Sequence, residues 1–95
     1  MAYGRYAIYD FTGDEDELTL RAREGVLPIL EGMDGFIVYG VLIKDGKVIS
    51  MSAWDSEEHA RAGDRAAKAW VQESAPEMSP TATYFGELAW LELAG

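Results

Sequence analysis

The centre of the chain reads Gly35-Phe36-Ile37-Val38-Tyr39-Gly40-Val41-Leu42-Ile43-Lys44-Asp45-Gly46-Lys47-Val48-Ile49-Ser50-Met51-Ser52-Ala53-Trp54. Asp45 and Gly46 separate two runs rich in β-branched residues, and both tolerate the positive φ angles of a tight type I′ turn. This arrangement predicts a β-hairpin in which Lys44 lies opposite Lys47. The first strand is then apolar on both faces, with Ile37, Tyr39, Val41 and Ile43 on one and Phe36, Val38, Gly40 and Leu42 on the other. A strand with one face in water alternates apolar and polar residues, so both faces are expected to be covered.

A strand and a helix are predicted on the N-terminal side of the hairpin. Residues 2–11 are rich in tyrosine, which is typical of a strand, and residues 12–15 form a capping box that predicts the start of a helix. The helix carries an apolar stripe with a four-residue period, formed by Leu18, Ala22, Val26 and Leu30. Pro28 predicts a kink or an early end near Gly25, because proline lacks a backbone donor.

The C-terminal side predicts a second helix and a last strand. Asp55 is the expected N-cap of this helix, which runs to about Glu73. Its expected inward side consists of His59, Ala62, Gly63, Ala66, Ala69 and Trp70. Two prolines within residues 74–80 predict a loop, and residues 82–93 follow as the strand.

The element order is therefore β-α-β-β-α-β, which predicts an α+β fold of the ferredoxin-like type within one domain, residues 1–95. Such a fold places both helices on one face of a four-stranded antiparallel sheet and leaves the other face bare. Because the hairpin is apolar on that face too, we expect a homodimer that forms through the sheet faces.

Composition excludes several classes of partner and site. The formal charge is -9, with 17 acidic against 8 basic side chains, and this would repel a phosphate backbone, so nucleic acid is not an expected partner. There are no cysteines, which rules out disulfides and thiolate metal sites. We find no signal peptide pattern and no apolar run of about 18 residues, so the expected location is cytoplasmic, without membrane association.

Several short motifs carry a family resemblance. They are Pro28-Ile29-Leu30, Gly35-Phe36, Lys47-Val48-Ile49-Ser50, Trp54-Asp55-Ser56-Glu57-Glu58 and Ala66-Ala67-Lys68-Ala69-Trp70-Val71. In these motifs the sequence resembles the antibiotic biosynthesis monooxygenase family, a large group of small dimeric α+β barrel proteins. The resemblance implies a pocket between sheet and helices, where some members oxidise an electron-rich aromatic ring with oxygen and need no metal or flavin.

The resemblance thus implies a monooxygenase without a cofactor, acting on a small aromatic phenol, a quinol or a polyketide-like substrate. The alternative is a dimeric protein that binds a ligand or serves as an accessory without catalysis. His59 and Tyr39 are the candidate catalytic residues, since an imidazole can act as a general base and a phenol can donate to a ligand oxygen. His59 can equally be a surface residue of the first helical turn.

Four further residues are candidates for substrate binding. Trp54 and Trp70 could stack on a planar ligand, or pack in the core. Tyr9 supplies a second hydroxyl. Arg5 interrupts an apolar strand, so it must face a ligand anion or pair within the protein, with Glu87 or Asp10 as the expected partner. A single histidine without a suitably spaced ligand gives no metal site.

Overall fold

The computed structural model describes residues 1–94, and its elements follow the predicted order. They are β1 (Tyr3–Phe11), α1 (Glu15–Glu31), β2 (Phe36–Lys44), β3 (Lys47–Trp54), α2 (Glu57–Ser74) and β4 (Met78–Glu87). The strands form one antiparallel sheet in the order β2-β3-β1-β4. Both helices share a hydrophobic core with one sheet face, so the predicted ferredoxin-like α+β fold is confirmed. No helix within the described part of the chain is long and apolar enough to cross a membrane.

The central hairpin has the predicted turn, but Phe36, the first residue of β2, lies on the other side of the sheet from the one predicted. Asp45 and Gly46 both have positive φ angles, 53° and 76°, and Lys44 pairs with Lys47. The register of β2 against β3 shifts between Phe36 and Val38, which is a β-bulge. The bulge places Phe36 opposite Trp54, and the two rings make an edge-to-face contact at 5.6 Å on the helix side. The prediction that Phe36 shares a face with Val38 is therefore wrong.

Two glycines let the helices approach tryptophan rings closely. A Cβ atom on Gly63 of α2 would overlap the indole of Trp54, and one on Gly25 of α1 would overlap the indole of Trp70. Trp54 is fully buried as a result, and it is the largest fully buried side chain. Glycine is needed at both positions because any larger side chain would push the helix off its neighbour.

The helices depart from the prediction at their caps and faces. Asp14, rather than Thr12, caps α1 by accepting a hydrogen bond from the backbone N–H of Glu17 at 2.9 Å. This helix continues through Pro28 to Glu31, since Val26 and Leu30 beside the proline are buried and their packing offsets one missing hydrogen bond.

In α2 the buried stripe consists of Ala60, Gly63, Asp64, Ala67, Trp70 and Val71. The predicted inward side shares only Gly63 and Trp70 with this stripe, and its other members lie about one position away. The difference arises because the charge of Asp64 argues against a buried position, although the structure buries it. Ser56, rather than Asp55, caps this helix by accepting from the backbone N–H of His59 at 3.2 Å.

The last strand begins earlier and ends earlier than predicted. β4 starts at Met78 and includes Pro80, which the edge of a sheet tolerates because one side of an edge strand makes no ladder bonds. Its register against β1 shifts at residues 8–9, so this edge strand also carries a bulge. Residues 88–94 have no regular structure.

The sheet face opposite the helices is apolar and open. Leu42, Ile49, Ile8 and Ala82 lie in register across the four strands on this face. Leu42 is 59% exposed and Tyr84, on the same face of β4, is 63% exposed. We call this surface the outer sheet face.

Candidate functional site

A cleft of about 260 Å³ opens between α1 and β2. It is lined by Thr19, Ala22, Arg23 and Leu27 of α1 and by Tyr39, Gly40, Val41 and Ile43 of β2. The cleft exists because β2 is an edge strand that the helices cover incompletely: Val41, on its helix-facing side, remains 39% exposed. An apolar cleft with a few polar groups is the usual form of a small-molecule site.

Below the cleft lies an inner chamber of only about 20 Å³. It shares Tyr39 and Val41 with the cleft and reaches down to Tyr9, Ser50 and Trp70. A space of this size holds about one water molecule, so the core side chains fill this part of the interior themselves. A ligand in the unaltered structure would therefore sit in the cleft, above the chamber.

Tyr39 stands at the boundary between cleft and chamber. Burial raises the pKa of its phenol, and a hydrogen bond with Ser50 and the charge of Arg5 oppose that rise only in part. The Tyr39 hydroxyl is therefore neutral at physiological pH and can donate a hydrogen bond to a ligand oxygen. Tyr39 thus lines a space that a ligand could occupy. Its catalytic role stays a prediction.

Arg5 lies beneath the chamber with 1% of its surface exposed. Its Nε donates to Asp64 Oδ1 at 2.7 Å, and its terminal nitrogens donate to Ser50 Oγ at 3.0 Å and to the Tyr9 hydroxyl at 3.4 Å. Burial raises the pKa of Tyr9, with Arg5 acting in the opposite direction. The expected pairing of Arg5 with Glu87 or Asp10 is wrong, since Arg5 reaches across to α2 for its partner.

Asp64 is a site residue that is not among those predicted from the sequence. Its second oxygen, Oδ2, accepts a hydrogen bond from Lys68 Nζ at 3.0 Å, and Lys68 also donates to Thr83 Oγ1 at 2.9 Å. Both carboxylate oxygens are thus engaged, so Asp64 neutralises Arg5 and is not free to act as a base. The sequence carries no signal for this role, because the predicted inward side of α2 leaves out both Asp64 and Ala60, which the structure buries.

His59 lies at the first turn of α2, and it is not among the residues that line the cleft or the chamber. Its Nδ1 is 2.6 Å from Asp55 Oδ1, and this hydrogen bond raises the pKa of His59 and lowers that of Asp55. Gly35, with a φ of 80°, passes so close to both side chains that a Cβ atom there would overlap them. The structure therefore places His59 and Tyr39 in different surroundings.

The two candidate tryptophans are also separated. Trp54 lies in the core, where its Nε1 donates to Ser52 Oγ at 2.9 Å, and it does not line the cleft. Trp70 lines the inner chamber together with Tyr9. Within residues 1–94 no three histidine or carboxylate side chains gather in a way that would hold a metal ion.

No protein-family model and no curated protein sequence matches the chain. Solved structures do match it in fold. A candidate antibiotic biosynthesis monooxygenase from Chloroflexus aurantiacus has a TM-score of 0.70 and 17% identity, with 100% of both chains covered. A monooxygenase from the ActVA-Orf6 gene of Streptomyces coelicolor, in complex with Nanaomycin D, has a TM-score of 0.71 and 18% identity over 99% of this chain and 93% of the other.

A dimeric ferredoxin-like protein from an uncultured marine organism has a TM-score of 0.67 and 15% identity over 99% of this chain and 100% of the other. At these low identities it is the TM-scores that establish a shared fold. The family resemblance seen in the sequence is thereby confirmed at the level of the fold.

Proposed function

We propose that this protein is a monooxygenase that needs no metal or flavin and acts on a small aromatic phenol or quinol bound in the cleft. The observation that carries the proposal is the open apolar cleft, whose lining includes Tyr39 with its neutral hydroxyl. The solved monooxygenase that is similar in fold is in complex with Nanaomycin D, which supports a small organic ligand for this protein as well.

The reaction requires the substrate itself to supply the electrons. Oxidation of a ring CH₂ to C=O by O₂ places one oxygen atom on the carbon and releases the other as water, which takes up the two hydrogens of that carbon. The step begins with loss of a proton, and negative charge then develops on the phenol oxygen. Tyr39 would stabilise that charge by donating a hydrogen bond. His59 does not line the cleft, so the proton passes to solvent water and not to this imidazole. Arg5 acts as a positioning residue because it holds Tyr9 and Ser50 below the cleft.

Oxygen uptake with a panel of anthrones and hydroquinones tests the proposal. Tyr39→Phe should lower the rate about a hundredfold, as expected for loss of one donor to a developing oxyanion. His59→Ala should leave the rate unchanged, because His59 lies outside the cleft lining. Tyr84→Phe, the same change on the outer sheet face, serves as the control and should leave the rate unchanged. Oxygen uptake by the wild type that is no faster than in buffer, or no faster than with Tyr39→Phe, would contradict the proposal.

The second candidate is a dimeric binding protein without catalysis. The observation that favours it is the inner chamber, which the side chains of the core fill almost completely. It predicts that an aromatic ligand binds in the cleft, with Tyr39→Phe weakening binding, while no oxygen is consumed. Isothermal titration beside the uptake assay therefore separates the two functions.

We also propose that two copies associate through their outer sheet faces. The exposed apolar residues of this face and the apolar segment 88–94, where Trp90 is 81% exposed, provide area for such an interface. The fold shared with a dimeric ferredoxin-like protein supports a dimer, and the choice of the outer sheet face rests on the exposed apolar residues.

A further inference from the structure

The cleft has one charged lining residue, Arg23. It is exposed on α1, and none of the ion pairs among residues 1–94 includes it. Arg5, Arg21 and Arg61, by contrast, are all paired with carboxylates.

The sequence of α1 explains why Arg23 has no ion-pair partner on its own helix. The residues three and four positions away from it are Leu20, Val26, Thr19 and Leu27. None of these is a carboxylate, although α1 is otherwise rich in acidic side chains. A guanidinium without a partner on its own helix is available to an anion from solution.

The negative net charge of the protein makes Arg23 important for binding an anionic ligand. A protein with a formal charge of -9 repels a small anion, so an anionic ligand needs a local positive group where it binds. Arg23 supplies that group at the same cleft in which Tyr39 supplies a neutral donor. Between them the lining is apolar, with Ala22, Leu27 and Val41.

We propose that the cleft selects a small aromatic carboxylate, whose acid group pairs with Arg23 and whose ring hydroxyl faces Tyr39. A carboxylate matches the planar guanidinium, which can donate two parallel hydrogen bonds to it. The cleft volume of about 260 Å³ suits a ligand of one or two rings. The inference rests on the proposed function in that it names the substrate class of the same cleft.

Equilibrium binding of two matched probes tests the inference without any turnover. 6-Hydroxy-2-naphthoic acid carries its hydroxyl and its carboxylate at opposite ends, and 6-hydroxy-2-naphthamide has the same shape without the charge. The wild type should bind the acid at least about tenfold more tightly than the amide, as expected for a hydrogen bond to a charged group. The preference should narrow as salt is raised from ~0.05 M to ~0.5 M.

The variant Arg23→Gln should bind both probes equally. Arg65→Gln removes the same charge from an exposed position of α2 outside the cleft lining and should keep the preference. Equal binding of the two probes by the wild type, or a preference that survives Arg23→Gln, overturns the inference. If oxygen uptake persists while the preference is absent, only this inference fails, and if the preference holds while no oxygen is consumed, only the oxygenase proposal fails.

Discussion

At the scale of single residues, the imidazole of His59 is controlled by the carboxylate of Asp55. Their hydrogen bond stabilises the charged form of both groups, so the pKa of His59 is raised and that of Asp55 is lowered in the folded protein. The contribution of His59 to stability is complete below the unfolded pKa of about 6.5 and is lost as pH rises through the folded pKa. The contribution of Asp55 is present above about pH 3.9 and is lost as pH falls through its own folded pKa.

This pairing predicts that His59 titrates above its ordinary range. The chain has one histidine, so a single imidazole signal in an NMR titration reports it without ambiguity. The variant Asp55→Asn should lower the His59 pKa, whereas Asp45→Asn, the same charge change in the hairpin turn, should leave it in place. A wild-type pKa at or below 6.5 would contradict the pairing.

At this scale the sequence predicts that Arg5 must have a partner, but the predicted partners Glu87 and Asp10 are wrong. The principle that a buried cation needs a counter-charge is local, and it applies to any strand. The choice of Asp64 is set by how α2 lies across β1, and that is a property of the assembled fold. The same limitation applies to Arg23, whose place at the cleft follows from the packing of α1 against β2.

At the scale of elements, the contact between α2 and the sheet depends on the absence of a side chain at Gly63. Helix propensity alone predicts that Gly63→Ala stabilises α2 by about 1 kcal/mol. We expect the opposite, a loss of about 1 to 3 kcal/mol, because the methyl group would overlap the buried Trp54.

Urea unfolding at a fixed protein concentration measures this difference. Gly32→Ala is the matched control, because a Cβ there would meet its nearest atom, the carbonyl oxygen of Pro28, at an ordinary 3.5 Å. The free energy of unfolding of this control should lie within about 0.5 kcal/mol of the wild-type value. A Gly63→Ala protein as stable as the wild type would refute the role assigned to this glycine.

The helices and strands are largely predictable from the sequence, whereas their ends and the bulges within them are not. Asp45-Gly46 fixed the hairpin because a two-residue turn depends only on its own φ angles. The bulge at residue 37 has no comparable local signal, since it arises from how β2 meets the end of β3. The early start of β4 is not predictable from the sequence, because Pro80 indicates a loop unless the strand lies at the edge of the sheet, and only the fold shows that it does.

At the scale of the whole molecule, the proposed dimer predicts that a charge on the outer sheet face weakens association. Leu42→Glu should shift the sedimenting mass towards the subunit mass of 10.5 kDa, because it buries a carboxylate in the interface. Leu20→Glu is the matched control, since Leu20 on α1 is 58% exposed and Leu42 is 59% exposed. A wild-type mass near 10.5 kDa at micromolar concentration would rule out the dimer.

The two bulges have a consequence for solubility. Both edge strands of the sheet, β2 and β4, carry a register shift, whereas the inner pair β1 and β3 has none. A bulged edge offers an interrupted row of backbone donors and acceptors, and Pro80 removes one donor from β4 altogether. The proposed association through the faces would end at two copies, while edge-to-edge addition would continue into fibrils. The irregular edges thus favour a closed pair over amyloid-like growth.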